Sequence, residues 1–512
     1  MFFSSYASAA NVYIDPDCGT PGDGSSGVCG GVGTDPHDSL MDVTFSSSDD
    51  YYVKRGTTDT VTTEIDIDAS GADTDNRLIV GAYWLDGATP TFTENGDARP
   101  IIIRNSVATG TAAILVSGNF VELKHLDIRQ GEKSLRIGNK AEFLGEDAYV
   151  HDCTIGGGAN TQGVRVLGQR LVMHDCDIDP MYSTYSQAGT VGDGISFDNW
   201  GHYAEIYDCH VSNWHHANIQ LTKGDYNKIY NIYSTNSDDQ TGSPVQMGQY
   251  ADYNEVHDIL VENAGDYFQI GGGSYDKIWN IIINSTCCDI QTTDDGVATF
   301  NIQSHSGITV GNEIHNITIY THDKCLQVYS DGNNYALGGN VIDGFVCYSD
   351  GDGIAGANDD RLISIVDSSD PNFGSNTFRN FQIYWSEGTP NMRNYSGEDP
   401  ITDWEGNPLN GDTVSGIQVG DPLFTNNFSD LTLQSGSPAI DLSSDQAGEP
   451  WDKGLLTGNW STYTFTYAYG IDNDGRMPGA YQNEISASPP VSGAQSITGG
   501  QGGFGFGYGR IQ

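Results

Sequence analysis

The stretch V-H-D-C-T-I at 150–155 returns as M-H-D-C-D-I at 173–178 and as I-Y-D-C-H-V at 206–211. Further copies are V-H-D-I-L-V at 256–261, I-W-N-I-I-I at 278–283, I-H-N-I-T-I at 314–319 and F-R-N-F-Q-I at 378–383. Weaker copies are L-K-H-L-D-I at 123–128, I-Y-N-I-Y-S at 229–234 and I-D-G-F-V-C at 342–347. Each phrase sets an apolar residue, an outward residue and Asp or Asn before apolar, variable, apolar. The third column runs Asp152, Asp175, Asp208, Asn231, Asp258, Asn280, Asn316, Gly344, Asn380, in steps of 23, 33, 23, 27, 22, 36, 28 and 36 residues. Such a repeat shares one rigid part and varies its loops. The rigid part alternates with period two, so it is strand. Asp, Asn and Gly tolerate left-handed backbone, so the column predicts a sharp bend between two short strands.

A third strand precedes each phrase: L-R-I at 135–137, V-R-V at 164–166, I-S-F at 195–197, I-Q-L at 219–221, V-Q-M at 245–247 and F-Q-I at 268–270. F-N-I at 300–302, L-Q-V at 326–328 and I-S-I at 363–365 continue the series. The flanking residues are expected inside and the middle one outside. Three strands per coil with an Asx bend between the second and third resemble the right-handed parallel β-helix of the pectate-lyase-like superfamily. The expected fold is all-β: a single-stranded right-handed parallel β-helix of about ten or more coils with a C-terminal cap. Rungs stacked ~4.8 Å apart make ten coils a rod of about 48 Å.

The repeat suggests a lead-in or cap over 1–40, the β-helix over 41–400, a capping region over 401–485 and a tail over 486–512. D-P-L-F at 421–424, S-G-S-P-A-I-D at 435–441 and D-G-R-M-P-G-A-Y at 474–481 resemble the closing segment of bacterial surface β-helix proteins. The tail S-I-T-G-G-Q-G-G-F-G-F-G-Y-G-R-I-Q at 496–512 is low-complexity Gly/aromatic sequence. It reads either as a floppy end or as an edge strand for another subunit, which makes a homo-oligomer (trimer or fibre) a candidate assembly.

Composition narrows the partners. The chain has 512 residues, 68 acidic and 22 basic, for a net charge of −46. A nucleic-acid partner is not expected, because phosphate binding needs a cationic surface. No apolar run approaches the ~20 residues of a spanning helix, so no membrane insertion is expected. Met1–Ala10 ends like a signal-peptide cleavage site but lacks the positive n-region and full apolar h-region, and reads as a truncated signal or an ordinary start. Cys18 and Cys29 could close a Gly/Ser-rich loop in an oxidising compartment. Cys153, Cys176 and Cys209 are expected as an inward stack. No C-x-x-C pair points to zinc.

The outward row of the first strands is Arg136, Arg165, Ser196, Gln220, Gln246, Gln269, Asn301, Gln327 and Ser364. It reads as an amide ladder between rungs or as a sugar-binding trough, because amides both donate and accept. The resemblance places ligands on this face. Candidate substrate-binding residues are Gln220, Gln246, Gln269 and Arg165, with the loop aromatics Trp200, Trp214 and Tyr182. Tyr185, His215, His216, Asp238 and Asp239 also border the face. Candidate catalytic acids are Asp193 and Asp198, which must lie about 5 to 9.5 Å apart for hydrolase chemistry. Asp266 matches Asp193 in position but lies three rungs away, roughly 14 Å. Gly-Asp-Gly at 192–194 also reads as turn chemistry.

The polygalacturonase signatures of the superfamily are not present as a set, and no acid cluster joins Arg136, Arg165 and Lys133 into a lyase-like metal site. The second-strand row His151, His174, Tyr207, Tyr230, His257, Trp279 and His315 reads as ring stacking before metal binding. No metal site is assigned; the one cofactor candidate is Ca²⁺, at D-G-D-G 350–353 and D-N-D-G 472–475. Vicinal Cys287–Cys288 is unexplained. The expected function is an extracellular or virion-surface protein that recognises a polysaccharide, with depolymerisation by a hydrolase or lyase step open. The alternative is a non-enzymatic subunit of a surface fibre or virion.

Overall fold

A computed structural model describes residues 10–467 except for loop segments, the longest being 180–191, 286–297, 351–360 and 440–455. The expected coil is the coil observed. Strands pair in parallel with the same strand of the next coil, as in Ala217–Leu221 on Asp193–Phe197 and on Ser243–Met247. Among the described residues the first strands stack into one sheet of thirteen strands, the last of them the antiparallel return Gly397–Pro400. The second and third strands form the other walls. They run through the bend within single segments such as Glu205–Ser212, Lys228–Thr235, Glu255–Glu262 and Lys277–Ser285.

Every residue of the bend column has positive φ, from 52° at Asp152, Asp175, Asp208 and Asn231 to 59° at Asn380, with Gly344 at 74°. His125, in a weaker copy, joins at 57°. The bends also bond along the rod: Asn231 Nδ2 donates to Asp208 (3.0 Å) and Asn280 Nδ2 to Asp258 (2.9 Å). Asx is favoured here because it accepts the left-handed backbone and supplies the bond that ties adjacent coils.

Inward residues make one continuous core of stacked Ile, Val, Leu and Phe. Burying each large apolar side chain contributes roughly 1.5–3 kcal/mol. Cys153, Cys176 and Cys209 lie in this core as free thiols. Cys18 and Cys29 are paired. Cys325 and Cys347 are paired as well, a bridge that the spacing did not suggest.

Parallel stacking begins with Ala10–Ile14 on Asp49–Lys54, inside the segment expected as a lead-in. At the other end the first wall closes with an antiparallel hairpin, Asn391–Asn394 on Gly397–Pro400. Ile401 and Trp404 then cover the core, the indole 4.8 Å from Phe378 and 5.8 Å from Phe381. This closes the end of the core to water. Thr413–Val419 still adds a rung to the second wall. Phe424 of D-P-L-F and Ala439 of S-G-S-P-A-I-D do not reach that end. They pack on the outside of the third strands, against Leu260, Ile282, Val346 and Tyr348. That face is apolar and needs cover. The segments 474–481 and 486–512 lie outside the described residues.

Candidate functional site: an amide trough on the first wall

Strand register places Arg136, Arg165, Ser196, Gln220, Gln246, Gln269, Asn301, Gln327 and Ser364 directly above one another. Residues dozens apart in sequence are thus neighbours on one wall. Ser196 Oγ donates to Gln220 (3.4 Å), Gln220 Nε2 to Gln246 (3.1 Å) and Gln246 Nε2 to Gln269 (2.5 Å). Each amide is therefore oriented by the next. Gln220, Gln246 and Gln327 are half-buried; Ser196, Gln269, Asn301 and Ser364 are buried. Asn301 Oδ1 is buried without a hydrogen-bond partner.

The basic end of the row is built from ion pairs. Arg165 donates to Asp198. Arg136 donates to Gly110 O (2.6 Å) and to Glu64 (3.3 Å). Lys133 is buried 3.4 Å from Glu132, and burial lowers the pKa of its amine.

Asp193 and Asp198 are not arranged as a hydrolase pair. They stand at opposite ends of the strand Asp193–Phe197, five residues apart, which at strand rise is roughly 16 Å. Asp193 is only 4% exposed and bonds His216 Nδ1 at 2.7 Å. Asp198 holds Arg165.

Trp200 is 38% exposed at the corner after Asp198. Trp214 is 1% exposed and belongs to the core, its Nε1 donating to Ile178 O (3.2 Å), so it cannot face a bound polymer. The cause lies on earlier rungs. A Cβ at Gly163 would fall 2.8 Å from the Trp214 ring, and one at Gly194 2.9 Å from it. Two glycines clear the space that the indole fills. Tyr182, Tyr185, Asp238, Asp239, Asp266, Cys287 and Cys288 lie outside the described residues.

On the second wall the ring row stacks as its register requires. His151–His174, His174–Tyr207, Tyr207–Tyr230 and Tyr230–His257 are 4.8 to 5.2 Å apart, and His257–Trp279 is 4.0 Å apart. Burial works against the His151 cation, but Asp152 and Glu122 outweigh it and lift its pKa to about 9. Glu122 is pulled to about 2: bonds from His151 and Lys124 overcome the cost of burial. Burial lowers His315 to about 4, against the pull of Asp343. Among the described residues no three His, Cys, Asp or Glu side chains converge on a metal position. Asp350 of D-G-D-G instead accepts from Tyr320 (2.7 Å) and bonds His322 (2.5 Å).

Two ladders escaped the sequence reading. One is a buried Asn/Asp column at the turn into the second strand: Asn227, Asn254, Asp276, Asn312, Asn340, Asn376 and Asp412. Each side-chain oxygen accepts the backbone N–H of the preceding rung, at 2.7 to 3.2 Å. Its signal was an Asn or Asp two residues before the inward residue of the second strand, as in Y-N-K-I, Y-N-E-V and Y-D-K-I at 226–229, 253–256 and 275–278. The other ladder is the residue just before that column: Tyr203, Tyr226, Tyr253 and Tyr275, exposed and stacked.

Fold and register together define a parallel β-helix protein with the coil plan expected from the pectate-lyase-like resemblance. No protein-family model and no curated protein sequence matches the chain. Similar solved structures include pectate lyase Pel9A, at 14% identity over 87% of this chain and 94% of that one, TM-score 0.40. Another is the Dettilon tailspike protein gp208, at 11% identity over 57% and 59%, TM-score 0.34. A third is the catalytic domain of GH87 α-1,3-glucanase in complex with nigerose, at 13% identity over 71% and 63%, TM-score 0.42. At these identities no functional residue transfers to this chain.

Proposed function

We propose that this chain is an extracellular or virion-surface protein that recognises a polysaccharide laid along the first wall. The observation that carries the reading is the unbroken row of amides, hydroxyls and guanidinium groups from Arg136 to Ser364. The half-buried Arg136, Arg165, Gln220, Gln246 and Gln327 offer donors and acceptors to a hydroxyl-rich polymer, and the buried members of the row hold them in line. Orientation by neighbouring amides lowers the ordering cost on binding. Recognition, rather than cleavage, is the proposed activity, because Asp193 and Asp198 are far apart and already committed to His216 and Arg165.

The test is a glycan array joined to reducing-sugar and unsaturated-product assays. The double variant Gln220→Ala/Gln246→Ala should bind its glycan at least tenfold more weakly. Asp193→Asn should leave binding within about twofold. No binding to any polymer by the native chain overturns the reading. The second reading, a non-enzymatic fibre or virion subunit, is favoured by the internal pairing of the same amides. It predicts that the double variant loses thermal stability and that no glycan binds.

A further inference from the structure

Eleven large apolar side chains are exposed among the described residues, and seven of them share one corner: Trp200, Tyr203, Tyr226, Tyr250, Tyr253, Tyr275 and Ile308. This is the corner that the chain turns on leaving the first wall. Trp200 and Tyr250 each stand three residues past a first-strand inward residue, Phe197 and Met247, and three before a ladder tyrosine. The aromatic corner therefore adjoins the trough.

Tyr203, Tyr226, Tyr253 and Tyr275 stack 5.1 to 5.2 Å apart, nearly parallel, each about half exposed. Their φ angles are 58°, 58°, 59° and 60°. Left-handed backbone disfavours a ring-bearing residue, and on the next two rungs the same position is Gly311 and then Gly339. Phe120, Asp147, Arg170 and Ser375 take the same turn position at φ 54° to 60°, so it is the exposed stack, not the backbone angle, that sets the tyrosines apart. Four successive tyrosines stacked on one another and left in water point to a binding role.

We infer that this corner is a second carbohydrate subsite, for an extended, neutral, β-linked hexose polymer running parallel to the rod. The inference rests on the polysaccharide reading and adds a site and a ligand class to it. Stacking hides the ring faces and turns the ring edges and hydroxyls outward. The hydroxyls form a line of donors and acceptors, and the edges between them cover C–H surface of a sugar. An extended, equatorially linked hexose chain advances by about one rung per sugar, so contacts repeat in register over the ladder. Charge selects the ligand: a chain of net −46 repels an acidic polymer or a second copy of itself and leaves a neutral polymer unopposed.

Affinity electrophoresis and pull-down with amorphous cellulose, β-mannan and chitin as neutral probes, and pectate and alginate as acidic probes, test the assignment. Tyr226→Asn/Tyr253→Asn removes two rings and keeps residues suited to the backbone; Tyr226→Phe/Tyr253→Phe removes only hydroxyls. A neutral polymer should retain the native chain. The Asn pair should bind it at least tenfold more weakly and the Phe pair about threefold more weakly, with unchanged circular dichroism. Equal binding by the folded Asn pair, binding of acidic polymers alone, or a change only in oligomeric size overturns the subsite. Loss with Gln220→Ala/Gln246→Ala but not with the Asn pair also overturns it while the trough stands. Loss with the Asn pair alone supports the subsite and overturns the trough. Retention of the native chain by no probe overturns the subsite, and silence on the array as well overturns both.

Discussion

Asp276 and Asp412 occupy buried ladder positions that Asn fills elsewhere. In each, one oxygen accepts the preceding rung's N–H and the other is buried without a partner. At the corresponding atom Asn312 Nδ2 donates to Gly273 O (3.1 Å) and Asn340 Nδ2 to Thr309 O (3.2 Å). Burial raises both Asp carboxyls, Asp412 from 3.8 to about 6. Because the folded value is raised, its contribution to stability is full below 3.8 and is lost as pH rises through about 6. Asp412→Asn should therefore stabilise the fold by up to roughly 3 kcal/mol at pH 8 and by little at pH 3.5, read by urea denaturation. The bends give the opposite case. Asn280→Val meets left-handed backbone and loses the bond to Asp258, a cost of roughly 2–3 kcal/mol, whereas Asn280→Gly should cost about 1. The bend column was legible because Asp, Asn and Gly share one conformational property. Tyr203, Tyr226, Tyr253 and Tyr275 were not, because nothing local to a tyrosine announces positive φ.

The ring row of the second wall shows what an element adds to its residues. His151 has Asp152 beside it in the chain but gains Glu122 only because register brings it over from the preceding rung. Its raised pKa stabilises the fold fully below 6.5, and that contribution is lost as pH rises through about 9. Glu122 is depressed, so its contribution is present above 4.5 and lost as pH falls through about 2. His151→Gln should flatten the stability profile between pH 6.5 and 9, and NMR of the native imidazole should titrate near 9. Stacking was legible from a period-two strand carrying rings at one phase. Trp214 was not, because the space for its indole is made by Gly163 and Gly194 on other rungs. The same limit hid Cys325–Cys347, whose partners meet only once the coil is wound. Asp193 and Asp198 looked paired by closeness in sequence, and an extended strand is what separates them.

For the whole molecule, winding turns an irregular repeat into continuous walls, each with its own chemistry: amides on the first, rings on the second, apolar cover on the third. A net charge of −46 on this rod is self-repelling. The melting temperature should rise by several degrees between about 0.01 and 0.3 M NaCl as the screening length shortens, with most of the gain below about 0.1 M. A flat response would mean that the carboxylates are offset locally.

The central claim, a polymer lying along the first wall, is tested most directly by cysteine protection. Gln220→Cys, Gln246→Cys and Gln327→Cys, with Tyr207→Cys on the second wall as a control, are labelled by a maleimide with and without the glycan found on the array. Peptide mass mapping separates these sites from the native cysteines. The trough predicts protection of all three first-wall positions together, though they are 26 and 81 residues apart in sequence, and none at 207. Protection at 207 alone, or at none of the four while the glycan is bound, would contradict it.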